Sequence, residues 1–300
     1  MILCCGEALI DMLPRETVAG ESAFAPHAGG SVFNTAIALG RLGAPAGFLS
    51  GISTDLFGQI LDETLAASKV DASLAIRSAR PTTLAFVTLT DGQAQYAFYD
   101  ENTAGRMIEV ADLPTIPDTV EALFFGGISL PPEPCGATYE SLMLAEAGKR
   151  VTMIDPNIRP GFITDEAGYR ARISAMMAAA TIVKSSDEDL DWLGMTPADL
   201  LANGAKLVCL TEGSKGVTAY WPGGETFVAA KPVEVVDTVG AGDTFSAGLL
   251  AGLHGAGHLS LSALSDLSET ALRPALELGV AAAAVTVSRA GANPPWKHEL

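Results

Sequence analysis

Cysteine is scarce and unpatterned in this chain. The four cysteines, Cys4, Cys5, Cys135 and Cys209, include one adjacent pair and no Cys-x-x-Cys. That excludes a disulfide framework or a cysteine zinc site and fits buried thiols in a reducing cytoplasm. Histidine is equally sparse. Only His254 and His258 have i, i+4 spacing, no Glu follows His254, and Gly255-Ala256-Gly257 breaks the helix such a pair needs, so they read as surface residues. Positive charge is in deficit, with 18 Lys and Arg against 35 Asp and Glu and a net charge of −17. A chain this acidic repels phosphate backbones and anionic lipid surfaces, so neither nucleic-acid nor membrane partners are expected. An anionic substrate would therefore need a local positive site. Long apolar runs are missing too. The best candidate, Leu278 to Val287, is about half of the roughly 20 residues a membrane span requires. No Lys or Arg precedes Arg15, and Glu7 and Asp11 interrupt the first apolar run, so no signal peptide is expected. Two nucleotide fingerprints are absent: Gly-x-x-x-x-Gly-Lys-[Ser/Thr], and Gly-x-Gly-x-x-Gly after the first strand.

What is present is enough apolar sequence for a large core: 48% hydrophobic and 18% charged residues over 300 positions. Short β-type runs (Ile2–Cys5, Gly47–Gly51, Ala122–Gly126, Val151–Asp155, Thr181–Lys184, Leu207–Thr211) alternate with helical stretches (Val32–Leu42, Leu56–Ala67, Thr138–Gly148, Tyr169–Ala179). The alternation predicts an α/β fold, a mostly parallel sheet sandwiched by helices, in one domain spanning 1–300. One region breaks the rhythm. Thr83–Thr90 and Gln93–Tyr99 read as strands joined by a tight turn at Asp91-Gly92, and no helix is readable from Ser73 to about Asp118. This predicts a small antiparallel β lid formed by about 11–24 and 74–104. Pro294-Pro295 is expected to stop the last helix.

The richest segment for chemistry is Asp237-Thr238-Val239-Gly240-Ala241-Gly242-Asp243, between a β-type stretch at Val233–Val236 and a small-residue helix from Thr244 to about His254. Free N–H groups and the helix dipole make such a turn an anion site, and side chains this small let the anion approach. Asp243 beside it is suited to accept the proton of an attacking hydroxyl; an isolated Gly-Asp would more simply be a helix cap. A second segment, Ala28-Gly29-Gly30-Ser31-Val32-Phe33-Asn34, opens another helix. Its glycines allow backbone to approach a ligand, although a Gly-Gly pair alone usually marks only a turn. Asn34 suits vicinal hydroxyls. Arg159 follows a strand end, where α/β sheets place ligands, next to Asp155 and Asn157. Phe98 and Tyr99 alternate in strand fashion, so one would cover a ligand and the other pack inward.

With these residues in view, the chain resembles the ribokinase-like (PfkB) carbohydrate kinases. Asp237–Asp243 is similar to their Asp-Thr-x-Gly-Ala-Gly-Asp signature, Gly29-Gly30 with Asn34 looks like their sugar-binding signature, and motif order matches from Gly6 to about Trp296. The resemblance implies a ribokinase-like, Rossmann-like fold. It makes Asp243 the catalytic base, the amides of Gly240, Ala241 and Gly242 the anion hole, and Arg159 a partner of the transferring phosphate or sugar. Asp11, Gly29, Gly30, Asn34, Phe98 and Asn157 would bind sugar. Lys184, Thr211, Gly213, Lys215 and Gly216 would serve ATP. Asp237 with carbonyls near Val239, Thr286 and Gly291 would hold a monovalent cation such as K+. The family's Asn-x-x-Glu, tied to Mg2+, is replaced by Lys184-Ser185-Ser186-Asp187-Glu188-Asp189, which leaves Glu188 and Asp189 as the Mg2+-shell candidates. Gly6-Glu7-Ala8-Leu9-Ile10-Asp11, Phe98–Ala104 and Asp155-Pro156-Asn157-Ile158-Arg159-Pro160 are most similar to bacterial fructokinases. The implied reaction is phosphoryl transfer from ATP to the 6-hydroxyl of D-fructose by a cytoplasmic monomer or homodimer. 2-Keto-3-deoxygluconate kinase is the alternative, and a nucleoside kinase or a catalytically idle binding protein stands further off. Asp100 and Glu101 favour a neutral sugar if they face the pocket.

Overall fold

The computed structural model describes residues 1–90 and 93–300, with side chains described outside 88–96. The expected turn at Asp91-Gly92 lies outside the described residues. The strands are β1 Ile2–Cys5, β2 Leu9–Glu16, β3 Ser22–Gly29, β4 Ala46–Leu49, β5 Gly51–Ser53, β6 Val70–Asp71, β7 Ile76–Ser78, β8 Thr83–Thr90, β9 Gln93–Tyr99, β10 Ala122–Gly126, β11 Val151–Asp155, β12 Ile182–Ser186, β13 Leu207–Thr211, β14 Gly216–Trp221 and β15 Gly224–Ala229. The helices are α1 Ser31–Arg41, α2 Leu56–Ala67, α3 Cys135–Glu146, α4 Glu166–Ala179, α5 Asp187–Leu193, α6 Pro197–Ala202, α7 Ala241–Gly255, α8 Leu261–Ser265 and α9 Glu269–Val287.

Nine strands form one sheet in the order β15-β14-β13-β12-β11-β10-β1-β4-β6. Pairing is parallel from β13 to β6, and the β13–β14 and β14–β15 pairings are antiparallel, so β14 alone of the nine strands runs against the rest. Strands buried on both faces must be apolar throughout, which is why β1 and β10 read as continuous hydrophobic runs. Alternate residues then feed two cores. Ile2, Cys4 and Phe124 pack toward α1, α7 and α9, whereas Leu3, Cys5, Leu123 and Phe125 pack toward α3 and α4.

A second sheet has the order β3-β2-β8-β9 and contains the strands expected for the lid. Ile76–Ser78, inside the expected lid span, pairs instead with Gly51–Ser53. Between Ser73 and Asp118 the described residues hold no α-helix, only a 3-10 turn at Val110–Asp112.

Three expectations are corrected. Val233–Val236 is extended but pairs with no described strand; Val233, Val235 and Val236 are exposed, and the first two line a cleft. β-branched residues raised the strand signal, and without a neighbour the run stays a loop. Helix α7 starts at Ala241, three residues earlier than expected, because the left-handed Gly240 serves as its N-cap (φ 78°). Helix α9 ends at Val287 with Ser288 as its cap, well before Pro294. It is also longer than the apolar run read from sequence: 19 residues of mean hydropathy 1.3, enough by length and composition to cross a membrane. Here it packs on α7 at unusually short range. A Cβ on Gly248 would fall 2.5 Å from Gly279 Cα, and one on Gly252 2.6 Å from Ala275 Cα.

Candidate active site

The site is assembled at the carboxyl ends of the parallel strands, where the first turns of α1 and α7 meet. Asp243 lies in the first turn of α7 and is buried. Its Oδ1 accepts the Ser31 hydroxyl at 2.6 Å, and its Oδ2 accepts the Asn34 amide at 3.0 Å. Thr35 Oγ1 donates to the Asp243 carbonyl at 3.4 Å. Residues 31, 34 and 35 share one helix face by the 3.6-residue period, so a single polar stripe of α1 grips the carboxyl. Burial pushes the Asp243 pKa up to about 6, partly offset by the Ser31 and Asn34 hydrogen bonds.

The amides preceding Asp243 divide in two. Ala241 N–H donates to the Thr238 carbonyl at 3.3 Å, so it closes a turn. The N–H groups of Gly240 and Gly242 meet no acceptor among the described residues. A Cβ on Gly242 would lie 3.1 Å from Lys184 Nζ, so the ammonium sits directly against this turn. Lys184 is buried and pairs with Asp155 at 2.8 Å. Burial pulls its pKa down, but Asp155, Asp189 and Asp243 outweigh that and keep it charged. The first turn of α7 thus lies beside a buried ammonium that Asp155 already pairs.

The first turn of α1 is treated differently. Glu7, read from sequence only as part of a motif string, is buried and accepts Ser31 N–H at 2.9 Å, Val32 N–H at 3.4 Å and, through its other oxygen, Ser129 N–H at 3.3 Å. Burial is the largest influence on Glu7 and raises its pKa, against the lowering effect of those donors. Ser31 was likewise unassigned. The signal for it was its i, i+3, i+4 spacing with Asn34 and Thr35; nothing in the sequence pairs Glu7 with residues 24 and 122 positions away.

Asn157 has a left-handed backbone (φ 43°) and donates to Ser31 Oγ at 3.0 Å, one residue removed from the carboxyl. Arg159 is exposed at the end of the same loop, with one guanidinium N–H on the Ile158 carbonyl. Asp189 accepts from backbone through both oxygens: one takes Ile158 N–H at 2.9 Å, and the other takes Ser186 N–H at 3.3 Å within a capping box. Glu188 is exposed, and no cluster of three acidic, His or Cys groups exists among the described residues.

On the lid, register aligns His27, Asp11, Ala85 and Phe98 in one cross-strand row, which puts Asp11 and Phe98 on one face. Phe98 stacks edge-on against Phe162 in the loop after Arg159, with centroids 4.3 Å apart, so this face meets the strand ends of the main sheet. Tyr99 is exposed and packs on Phe86. Gly29 lies against the Asp11 carboxyl, whose pKa burial raises to about 6, and Gly30 is the N-cap of α1. Asp100 does not present a free charge: Thr83 and Thr103 donate to it and Arg106 pairs with it at 3.5 Å, while Glu101 is exposed. The argument that these two carboxylates repel an acidic sugar therefore loses its footing.

Beyond Gly242, a cleft of about 470 Å³ is lined by Thr211, Gly213 and Gly216 on one side and by Phe245, Val280 and Val287 on the other. Lys215 does not line it; its exposed ammonium pairs with Glu212 at 3.2 Å. Asp237 bridges the entering loop to the C-terminal turn, accepting Val239 N–H at 3.0 Å and Gly291 N–H at 2.9 Å. Val287, next to Thr286, accepts both Val236 and Asp237 N–H.

The sequence profile of the pfkB family carbohydrate kinases matches residues 1–299. The chain belongs to that family. It is 57% identical over 279 residues to a fructokinase of Rhizobium leguminosarum bv. trifolii, covering 91% of this chain and 86% of that protein. A Klebsiella pneumoniae fructokinase is 30% identical, covering 98% and 96% respectively. The crystal structure of a Xylella fastidiosa fructokinase with bound ATP superposes with a TM-score of 0.87 at 28% identity, covering 97% of this chain and 93% of that one. The fold is ribokinase-like, and the enzyme is an ATP-dependent carbohydrate kinase.

Proposed function

We propose that this pfkB-family kinase transfers the γ-phosphoryl group of ATP to the 6-hydroxyl of D-fructose, with Asp243 as general base. The observation that carries the chemistry is the meeting of one buried carboxyl with an open helix N-terminus and a buried lysine. The carboxylate oxygens of Asp243 retain lone pairs beyond those used by Ser31 and Asn34. The sugar hydroxyl gives its proton to Asp243 as its oxygen attacks the γ-phosphorus. The Gly240 and Gly242 amides, the α7 dipole and the Lys184 ammonium balance the charge developing on the phosphoryl oxygens. The cleft beside Thr211 and Gly216 suits ATP, its apolar wall of Phe245, Val280 and Val287 offering a slot for the base. Asp11, Asn34 and the Asp11–Phe98 face of the lid would hold and cover the sugar, and Arg159 would approach it from the strand end.

Fructose is supported by the 57% identity with the Rhizobium fructokinase. The exposed guanidinium of Arg159 favours a second reading, 2-keto-3-deoxygluconate, whose carboxylate it would pair with. An ADP-release assay across fructose, 2-keto-3-deoxygluconate, ribose, glucose and adenosine decides. Fructose should give the highest kcat/KM; a higher value for the sugar acid rejects fructose and keeps the kinase.

Mg2+ would enter with the ATP phosphates, with Glu188 and Asp189 as the candidates for its shell; each Asp189 oxygen accepts one backbone N–H and keeps a lone pair. Asp237, with carbonyls around Val239, Thr286 and Gly291, fits a monovalent cation in having one carboxylate between two turns of backbone. K+ there would order the loop entering α7; equal rates in potassium, sodium and Tris buffers reject this. The four buried free thiols suit a cytoplasmic enzyme acting on small-molecule sugar and ATP as a monomer or homodimer.

A further inference from the structure

Among the described residues, Asp243 is the only buried carboxyl that accepts from side chains of α1, and the shorter of its two contacts comes from Ser31. Ser31 has a single hydroxyl proton, and it is 2.6 Å from Asp243 Oδ1. With that proton committed to the carboxyl, Ser31 Oγ accepts from Asn157 Nδ2 at 3.0 Å. The chain of donors therefore has one direction, from the Asn157 amide through the Ser31 hydroxyl to Asp243. Both ends of Ser31 are held, since its own N–H is fixed on Glu7 at 2.9 Å. Asn157 reaches it from a left-handed backbone (φ 43°), a conformation that few residues other than glycine and Asn adopt readily.

We infer that Ser31 is a positioning residue for the general base, holding the Asp243 carboxyl in one rotamer and in its ionised form through a hydroxyl that Asn157 orients. The inference rests on Asp243 being the base. Its physical content is twofold. A carboxyl held at Oδ2 alone, by Asn34, is free to swing about its Cβ–Cγ bond. And a hydrogen bond donated to a carboxylate favours ionisation, which here opposes the effect of burial. A hydroxyl used instead to bind sugar would turn its proton toward the ligand, and its loss would appear in KM.

The test is the pH dependence of kcat in Ser31→Ala, Ser31→Thr and Asn157→Gly, the last chosen because glycine keeps the left-handed backbone. Ser31→Ala should lower kcat about tenfold or more, leave KM for fructose within about twofold, and move the acid limb upward by about one pH unit, as expected for losing a charge-assisted bond. Ser31→Thr should restore both the rate and the limb. Asn157→Gly should move the limb in the same direction by less. An acid limb at its wild-type position in Ser31→Ala overturns the inference. If Ser31→Ala does not fold, a wild-type limb in Asn157→Gly overturns it. Asp243→Asn separates the two readings: turnover retained in that variant removes the base itself, whereas a dead Asp243→Asn beside an unshifted Ser31→Ala removes only the role of Ser31.

Discussion

Helices α1 and α7 both begin on a glycine N-cap that offers no side chain to its first turn, yet the molecule uses the two ends oppositely. At α1 the exposed amides are taken by Glu7, a carboxylate delivered from the loop after β1. That end is already neutralised and can hold neutral hydroxyls but not a phosphate. At α7 the Gly240 and Gly242 amides meet no acceptor among the described residues, the Lys184 ammonium, paired with Asp155, sits against them, and the first-turn carboxylate is turned away toward α1. Identical backbone chemistry is met by a carboxylate at one helix end and by an ammonium at the other, and in the proposed mechanism that difference sorts the sugar side from the phosphate side.

The sharpest way to break this contrast is Asp243→Asn. It keeps the shape and should lower kcat by roughly 10²–10⁴-fold with a much smaller change in KM. Near-normal turnover would return Asp243 to a helix cap. The same residue links activity to stability. Its folded pKa of about 6 lies above the ordinary 3.8, so below about pH 4 the carboxyl is protonated in both states and costs nothing. As pH rises through about 6 the folded state must carry a buried charge, and stability is lost in the window where the base becomes active. Turnover should fall about tenfold per pH unit below pH 6. The Tm advantage of Asp243→Asn over wild type should be largest near pH 8 and shrink toward pH 4; a constant difference would contradict the raised pKa.

Next in size is Gly242→Val, which puts a branched side chain against Lys184 Nζ and the open amides. Loss of oxyanion-type donors typically costs about 10²–10³-fold, so turnover should fall by that much with an unchanged circular dichroism spectrum. Normal turnover would put the phosphate elsewhere. The smallest effect is expected for Glu7→Gln. Gln turns one of the two acceptor oxygens into an NH2 that faces a backbone N–H, which should cost about 1 kcal/mol of stability, read as a fall in Tm of a few degrees, with kcat reduced less than tenfold. A loss of activity as deep as that of Gly242→Val would mean that the α1 end takes part in holding the phosphate.

Much of this was legible in the sequence because the determinants are local. β1, β10 and β13 carry uninterrupted apolar runs, and the Asp237–Asp243 string announces a turn into a helix before any neighbour is known. Reading failed where a partner decides the outcome. Val233–Val236 has strand composition but no strand beside it. Gly240-Ala241-Gly242 has loop composition, yet the left-handed N-cap lets α7 begin at once. Glu7 and Ser31 look unremarkable in the chain, because their meaning depends on amides and carboxyls 24 to 212 positions away. The partners of Asp100 and Asp189 were hidden for the same reason: sequence shows a carboxylate but not the hydroxyls and amides that donate to it.

The seam between α7 and α9 has a consequence for how this enzyme tolerates change. Gly248 and Gly252 touch the opposing backbone so closely that even a methyl group has nowhere to go. One helix of the seam carries Asp243 and the open amides, and the other walls the nucleotide cleft. A wedge there widens the gap between donor and acceptor without touching either, and an ångström of misplacement can cost about 100-fold in rate. Gly248 and Gly252, about one and a half and two and a half turns along α7 from Asp243, thus behave as part of the site's calibration, and a search for improved variants should find them immovable while the exposed flanks of the same helices drift freely.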